Sequence, residues 1–307
     1  MKRLLSLLFP LMLLQGCSHA PANLLAARKG FVTHISPKQN DYYTDPLPLP
    51  PSDQLKLVSY PSPIGPLAAY VSLPPKAGVK YPAIIWIIGG DFNSLDDTPW
   101  RLQPASDDQS ARAFREAGII TMYPSFRGGN QNPGYKEGFY GEVNDVLSAE
   151  AYLAKQPDVD PTRIYLGGHS TGGTMAVLAA ESSSCFRAVF ALGPVTLINL
   201  YPKEYLPFDT SNEKEVELRS PRFFLNAVHR PLFVMEGTDS PSNLKSLLYL
   251  KKINTNPDIH TIPIDGYDHF SEVLPATELI AQKILADTGS KSDVFITESE
   301  LANPASR

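Results

Sequence analysis

The stretch that decides the fold runs from residue 163 to residue 173 and reads RIYLGGHSTGG. Apolar, strand-forming residues lead into Gly168-His169-Ser170-Thr171-Gly172, which matches the pattern G-x-S-x-G, and a helix-favouring run follows. The two glycines suit a sharp turn from strand to helix, where neighbouring backbones come too close for a Cβ atom. Such a turn exposes a hydroxyl at a helix N-terminus, where free N–H groups favour a developing negative charge. We therefore predict Ser170 as a nucleophile; the alternative is a serine that only shapes a turn.

Outward from this turn, apolar runs of strand length alternate with segments of helical periodicity. The predicted strands are 83–88, 119–123, 163–166, 188–192, 231–235 and 259–264, preceded by a hairpin of 55–60 and 67–73. The predicted helices are 106–117, 138–155, 171–181, 242–253 and 273–286. This alternation predicts the α/β class, with a mostly parallel twisted sheet covered by helices on both faces. We expect one domain over residues 53–287.

A serine nucleophile needs a general base, and the histidines that follow Ser170 are His229, His260 and His269. After a strand–turn–helix nucleophile, the order along the chain is serine, acid, histidine. His269 lies in a loop between the last predicted strand and the last predicted helix, at the same sheet edge as Ser170. His229 precedes a strand and His260 begins one, so both belong to the other end of the sheet. We predict His269 as the base.

The acid of the triad is expected between the serine and the histidine. Asp239 follows the predicted strand 231–235 through a short turn, 69 residues after Ser170 and 30 before His269, and we predict that it orients the imidazole. Asp265, Asp268 and Glu236 are the alternatives, each of which could instead cap a turn.

A tetrahedral oxyanion needs two N–H donors. We assign one to Thr171, the residue after the nucleophile, and the other to the loop that follows the first buried strand, at Gly90 and Asp91. Glycines there allow the backbone to turn toward the reacting group. For Gly89, just before them, a tight loop without a catalytic role remains the alternative.

Composition narrows the partners and the chemistry. The chain has 307 residues and a net charge of −5, with no basic block that could neutralise a phosphate backbone, so nucleic acid is not expected. No cluster of His and Cys has the spacing of metal ligands, and we predict no metal and no cofactor. With two cysteines, Cys17 and Cys185, no disulfide is predicted.

The first seventeen residues read as a targeting segment. Lys2 and Arg3 precede an uncharged run of eleven residues, 4–14, which fits a signal peptide and is too short to span a membrane. Residues 14–17, LQGC, resemble the bacterial lipobox, so Cys17 is the expected site of lipidation. A simple signal peptide is the alternative. By resemblance to Gram-negative lipoproteins, Ser18 implies sorting to the outer membrane, facing the periplasm. Residues 18–52 are expected to be a Pro-rich tether, and residues 288–307 a polar C-terminal tail.

Several further motifs resemble the catalytic domain of the prolyl oligopeptidase family and its dienelactone-hydrolase-like relatives among the α/β-hydrolases. The resemblance covers about 82–286 and rests on the serine turn together with 126–130 (FRGGN), 141–146 (GEVNDV), 159–164 (VDPTRI) and 266–270 (GYDHF). It implies an α/β-hydrolase fold and a serine hydrolase that works through an acyl-enzyme. Within these motifs, we expect Arg127 and Asp145 to form an internal ion pair that shapes a loop; contacts with substrate are the alternative.

The sequence departs from the family pattern in three ways. Ile88 stands where family members often have His or Tyr, and the segment before the acid, EGTD at 236–239, is one residue shorter than the family's His-Gly-x-x-Asp. The residues before Pro82 are too few for the β-propeller of true prolyl oligopeptidases. We therefore favour ester or small acyl substrates. A prolyl oligopeptidase-like peptidase and a non-catalytic envelope lipoprotein on a hydrolase fold are the alternatives.

One segment interrupts the regular alternation. Residues 193–230 are rich in aromatic side chains and could form a lid over a site or an ordinary connection packed on the core.

Overall fold

One sheet of eight strands organises the protein. The computed structural model describes residues 23–36, 45–91 and 93–302. The strands are β1 (Leu55–Ser62), β2 (Gly65–Ser72), β3 (Tyr81–Ile87), β4 (Ile120–Pro124), β5 (Val159–His169), β6 (Val189–Leu192), β7 (Leu232–Gly237) and β8 (Ile259–Ile264). Their order across the sheet is β1-β2-β4-β3-β5-β6-β7-β8. β2 pairs antiparallel with β1 and β4, and every other neighbouring pair is parallel. The predicted α/β class with a mostly parallel sheet is confirmed.

Helices cover both faces of this sheet. They are α1 (Leu24–Arg28), α2 (Arg112–Glu116), α3 (Glu142–Leu153), α4 (Thr171–Ala180), α5 (Glu213–Glu217), α6 (Leu244–Ile253), α7 (Val273–Ala286) and α8 (Glu298–Leu301). Apolar residues of α3, α4 and α6 share one core cluster, and those of α2, α7 and α8 share the other. Alternate residues of β3 belong to opposite clusters, Ile85 to the first and Ile84 to the second. A strand buried on both faces must be apolar throughout, which explains the uninterrupted hydrophobic runs.

The helix predicted over residues 106–117 is much shorter in the structure. Ala111 has a left-handed backbone with φ of 46°, and α2 begins only at Arg112. The Asp108 carboxylate accepts hydrogen bonds from the Ser110 N–H (3.1 Å) and from the Arg112 Nε (2.8 Å). Local side-chain bonds of this kind compete with helical hydrogen bonding.

The segment expected to be a tether is instead partly built into the domain. Leu24 in α1 is fully buried, and its N–H donates to the Glu181 carbonyl at 3.1 Å. The buried Arg28 donates from Nη2 to the Leu218 carbonyl at 2.8 Å. For residues 23–36 the prediction of a free tether is therefore not met. The proposed signal peptide and Cys17 lie outside the described residues.

The C-terminal residues also pack on the domain as far as the structure describes them. Val294, Ile296 and Leu301 are buried in the second core cluster. Asp287, at the end of α7, forms an ion pair with Arg187 at 2.5 Å. The prediction of a loosely held polar tail is not met for residues 288–302. Among the residues described, no helix combines the length and the apolar character that crossing a bilayer requires.

Candidate active site

Ser170 occupies a tight turn between β5 and α4. Its backbone has φ of 56° and ψ of −114°, a left-handed conformation that a non-glycine residue adopts only where the surroundings enforce it. A Cβ at Gly172 would collide with the carbonyl oxygen of Ile87, so the close passage of β3 under the turn requires this glycine. The sharp strand-to-helix turn expected from G-x-S-x-G is therefore present, with Ser170 half-buried immediately before the first residue of α4.

His269 lies in the loop between β8 and α7 and contacts a carboxylate. Its Nδ1 is 3.2 Å from both Oε1 and Oε2 of Glu236, the penultimate residue of β7. The carboxylate is itself held, because Oε1 accepts from the Ser242 Oγ and the Asn243 N–H, both at 2.9 Å. Glu236 is almost fully buried. A buried, fixed carboxylate on Nδ1 leaves Nε2 of His269 as the nitrogen available for proton transfer.

The structure does not bring Asp239 to His269. Asp239 is exposed, and its backbone N–H donates to the Tyr267 carbonyl at 2.9 Å. This prediction is corrected: β7 continues to Gly237, so its end presents Glu236 to the imidazole while the chain carries Asp239 past it.

Neither of the two remaining acidic alternatives, Asp268 and Asp265, forms a hydrogen bond to the His269 side chain among the described residues. Asp268 accepts from the N–H (2.8 Å) and the Oγ (2.7 Å) of Ser271. These bonds, the backbone one first, hold the pKa of Asp268 below its usual range. Asp265 accepts from the Thr238 Oγ1 at 3.3 Å. A sequence signal for Glu236 did exist, since it is the one charged residue in the otherwise apolar run LFVMEG.

His169 connects the serine turn to the histidine loop. Its Nε2 is 2.7 Å from the backbone carbonyl of His269, and the two rings lie 4.5 Å apart between centroids. A carbonyl only accepts, so Nε2 carries the proton. Burial, and secondarily the neighbouring His269, lower the pKa of His169 to about 3, so the ring stays neutral at physiological pH. No hydrogen bond joins Ser170 to His269 in the described part of the chain; such bonds often tighten only when substrate is bound.

The predicted oxyanion donors face a common space. Thr171 is the first residue of α4, where N–H groups have no acceptor within the helix. Its Oγ1 donates to the Gly90 carbonyl at 2.6 Å, which fixes the loop after β3 against the helix. The carbonyl and carboxylate of Asp91 both accept from Lys136 Nζ at 2.5 Å. Gly90, Asp91 and Thr171 together line one cavity.

Two cavities flank the serine turn. The first has a volume of about 40 Å³, and its wall includes Phe139, Met175, Tyr201, Tyr205 and Leu206. The second, lined by Gly89 and residues around it, has a volume of about 590 Å³. The segment 193–230 thus supplies aromatic residues to the wall of the first cavity. It is also firmly packed, since Ile198 and Leu218 are fully buried.

Three side chains near the site bring potential metal ligand atoms together. Atoms of His169, His269 and Glu272 lie within 4.8 Å of one another. The Nε2 of His169 already bonds to a carbonyl, and its Nδ1 is 3.0 Å from Gln109 Oε1. Burial, and then the charge of Glu236, raise the pKa of Glu272 well above its usual range. Burial thus disfavours the charged form of Glu272, which is the form that binds a metal ion.

Arg127 and Asp145 form the internal ion pair that the sequence predicts. Nε and Nη2 of Arg127 donate to the two carboxylate oxygens of Asp145 at 2.9 and 2.8 Å. Arg127 also pairs with Glu137 at 2.6 Å. The pair is buried and shapes the loop before α3.

Solved structures of other proteins share the fold of this chain. Solved structures with this fold include a Pyrococcus horikoshii acylaminoacyl peptidase (18% identity, TM-score 0.62, covering 81% of this chain and 44% of that one). A puromycin-hydrolyzing peptidase of Mycobacterium tuberculosis matches at 19% identity and TM-score 0.60, over 78% of this chain and 40% of that one. A Pyrobaculum calidifontis esterase matches at 18% identity and TM-score 0.56, over 81% of this chain and 88% of that one. The chain therefore spans less than half of the two peptidases and most of the esterase.

These matches show that the chain has the fold shared by these peptidases and esterases. More particularly, residues 105–242 match the model of the prolyl oligopeptidase family, and this segment contains the Ser170 turn and Glu236.

Proposed function

We propose that the protein hydrolyses esters of small acyl groups through a triad of Ser170, His269 and Glu236. The observation that carries this proposal is the fixed Glu236 carboxylate on Nδ1 of His269, beside the strained turn that presents Ser170. Glu236 holds the imidazole in the tautomer that can accept a proton at Nε2 and stabilises the imidazolium that forms.

The chemistry follows from these positions. Ser170 Oγ forms a bond to the substrate carbonyl carbon and gives its proton to Nε2 of His269. Backbone N–H groups at Thr171 and at the Gly90 and Asp91 loop stabilise the resulting oxyanion. The bond to the leaving group breaks, and His269 returns the proton to it. Water then attacks the acyl-enzyme by the same route, which releases the acid and restores Ser170.

Small acyl groups are favoured by the first cavity. Its free volume of about 40 Å³ is on the order of three times what a single water needs. A Pyrobaculum protein of this fold is described as an esterase, which supports an ester substrate. Peptidase activity is the second candidate, because other proteins of this fold are described as peptidases.

A fluorophosphonate probe tests the proposal, with Ser170→Ala and His269→Ala variants beside the wild type. We expect labelling of the wild type and none of the variants, provided that circular dichroism shows all three folded. Short p-nitrophenyl esters compared with aminoacyl amides then separate esterase from peptidase activity. A folded wild type that is never labelled would favour the non-catalytic alternative.

We also propose that the protein is a lipoprotein of the cell envelope, anchored through Cys17 and held at the outer membrane on the periplasmic side. The signal-peptide pattern and LQGC at 14–17 support this proposal. In cells, we expect the full chain to partition into detergent with a mass increase of a lipid adduct. The Cys17→Ser variant should lose both properties, and an unmodified wild type would contradict the anchor.

A further inference from the structure

Glu142, the first residue of α3, is a buried carboxylate in the wall of the first cavity. It is 1% exposed. Its Oε1 accepts from Asn93 Nδ2 at 3.0 Å and from the Glu137 N–H at 2.6 Å. Its Oε2 has no hydrogen-bond partner anywhere in the described part of the chain. A buried acceptor of this kind is costly, more so when it is charged, and a ligand can satisfy it.

The rest of the wall offers Glu142 no cation. Most of the lining residues are apolar or aromatic. The other two charged residues of the wall, Lys136 and Asp91, form an ion pair with 2.5 Å between Nζ and Oδ1. The Lys136 Nζ also bonds to the Asp91 carbonyl, so Asp91 takes two of its three N–H donors, and no hydrogen bond joins Lys136 to Glu142 among the described residues.

Three guanidinium groups are close enough to Glu142 to interact with it electrostatically, those of Arg28, Arg127 and Arg219. They help to offset the cost of burying its charge. None of them bonds to it: Arg28 donates to backbone carbonyls, and the other two donate to other carboxylates. The open acceptor is therefore left for a group that enters the cavity.

We propose that this cavity binds an acyl group that carries a protonated amine next to its carbonyl, with the ammonium donating to Oε2 of Glu142. Substrates of this class are aminoacyl esters or amides with a small side chain. The inference rests on the proposed function, because Gly90 and Thr171 in the same wall place the acyl carbonyl beside Ser170. In the second cavity, the charged lining residues, Asp45, Asp96 and Asp107, are all negative and favour a cationic substrate.

Boronic acids provide the test, since boron accepts a lone pair from the serine oxygen and forms a tetrahedral adduct. We would measure how 1-aminoethylboronic acid and ethylboronic acid, which differ only in the amine, block fluorophosphonate labelling. The amine should inhibit the wild type at least about tenfold more strongly, as expected for a buried charge-assisted hydrogen bond. In Glu142→Gln that preference should fall by at least about tenfold. Comparing ratios between variants cancels the intrinsic effect of the amine on boron.

Glu204→Gln is the matched control, because Glu204 is an exposed carboxylate that interacts with Asp91 but does not line the cavity. It should keep the wild-type preference. Should Glu142→Gln fail to fold, 1-hydroxyethylboronic acid tests the wild type: similar in size but uncharged, it should inhibit at least about tenfold less than the amine. The inference would be overturned if the amine and its uncharged analogues inhibited equally, or if Glu142→Gln kept the wild-type preference for the amine. Neither result would affect the proposed function. A folded wild type that the probe does not label would overturn the proposed function as well.

Discussion

At the scale of single residues, the identity of the acid depends on where β7 ends. Glu236 and Asp239 are three positions apart, yet the first is buried against His269 and the second is exposed. A carboxylate orients an imidazole only through a direct bond in a water-poor site. Glu236 satisfies both conditions.

Glu236→Gln should therefore lower kcat for a p-nitrophenyl ester by about 10³- to 10⁴-fold, because the neutral amide no longer fixes the tautomer or stabilises the imidazolium. Asp239→Asn is the matched control and should change kcat by less than about threefold, as an exposed substitution away from the imidazole. A larger loss in Asp239→Asn than in Glu236→Gln would restore Asp239 as the acid.

The site residues differ in how far sequence reasoning reaches. Ser170 and His269 follow local patterns, a turn and a loop next to a strand, so their positions can be predicted. The acid could be narrowed to four candidates but not chosen, because a shift of one or two residues in the strand end changes which side chain reaches the imidazole. The surroundings of Glu142 could not be predicted. Its Oε1 accepts from Asn93, which is far away along the chain, and no local pattern in the sequence indicates that its Oε2 lacks a partner among the described residues.

At the scale of elements, β3 passes directly beneath the turn between β5 and α4, and this close passage leaves no room for a Cβ atom at Gly172. Gly172→Ala would place a methyl group against the Ile87 carbonyl, and α4 would have to move. We expect a loss of at least about 3 kcal/mol in the free energy of unfolding and loss of probe labelling. Urea unfolding and labelling measure the two effects.

Gly289→Ala is the control for this prediction, because its added Cβ would meet nothing closer than 3.3 Å. It should change stability by less than about 0.5 kcal/mol. If Gly172→Ala behaved like this control, the turn would be less tightly constrained than its contacts indicate.

Elements that depend on local pattern were predicted well. The strand 259–264 and the helix 273–286 have the predicted bounds, since hydrophobic periodicity alone defines them. The helix predicted over 106–117 failed where Asp108 and the left-handed Ala111 shorten it. Side-chain competition of this kind is not visible in the periodicity.

At the scale of the whole molecule, the N-terminal segment is part of the core. Leu24→Ala should lower the free energy of unfolding by about 2–5 kcal/mol, because it leaves a cavity in a fully buried site. Val32→Ala, at a side chain that is 71% exposed, should have an effect within about 0.5 kcal/mol. Urea unfolding compares them, and equal stabilities would show that the segment detaches in solution.

The ion pair between Arg187 and Asp287 ties the C-terminal segment to the sheet and makes stability depend on pH. Although burial raises the pKa of Asp287, hydrogen bonds from Arg187 and Tyr165 outweigh it and hold the pKa below its usual range. The ionised carboxylate therefore stabilises the fold fully above its unfolded pKa of about 3.9, and this contribution is lost as the pH falls toward the lower folded value.

Asp287→Asn should accordingly be less stable than the wild type by about 3–5 kcal/mol at pH 7 and at pH 5. The difference should shrink at pH 3, where the wild type begins to lose the charge. Urea unfolding at the three pH values measures it, and a difference that does not change with pH would contradict the linkage.

Both chain ends are held by contacts with residues far away along the chain, which is why their local sequence wrongly predicted loose segments. Proline content and polarity are local properties, whereas Arg28 finds its acceptor at Leu218, 190 residues away. Nothing in residues 18–52 taken alone specifies that partner.

The docking of α1 also limits how far the domain can lie from a membrane. From Cys17 to Asn23 the chain can extend by at most about 20 Å. Leu24 is bound at the Glu181 end of α4, and Ser170 lies at the opposite end of that helix, about 15 Å away. With the lipid anchor that we propose at Cys17, the end of α4 remote from Ser170 would lie within about 20 Å of the bilayer surface. The domain would then act close to the membrane instead of diffusing through the surrounding compartment.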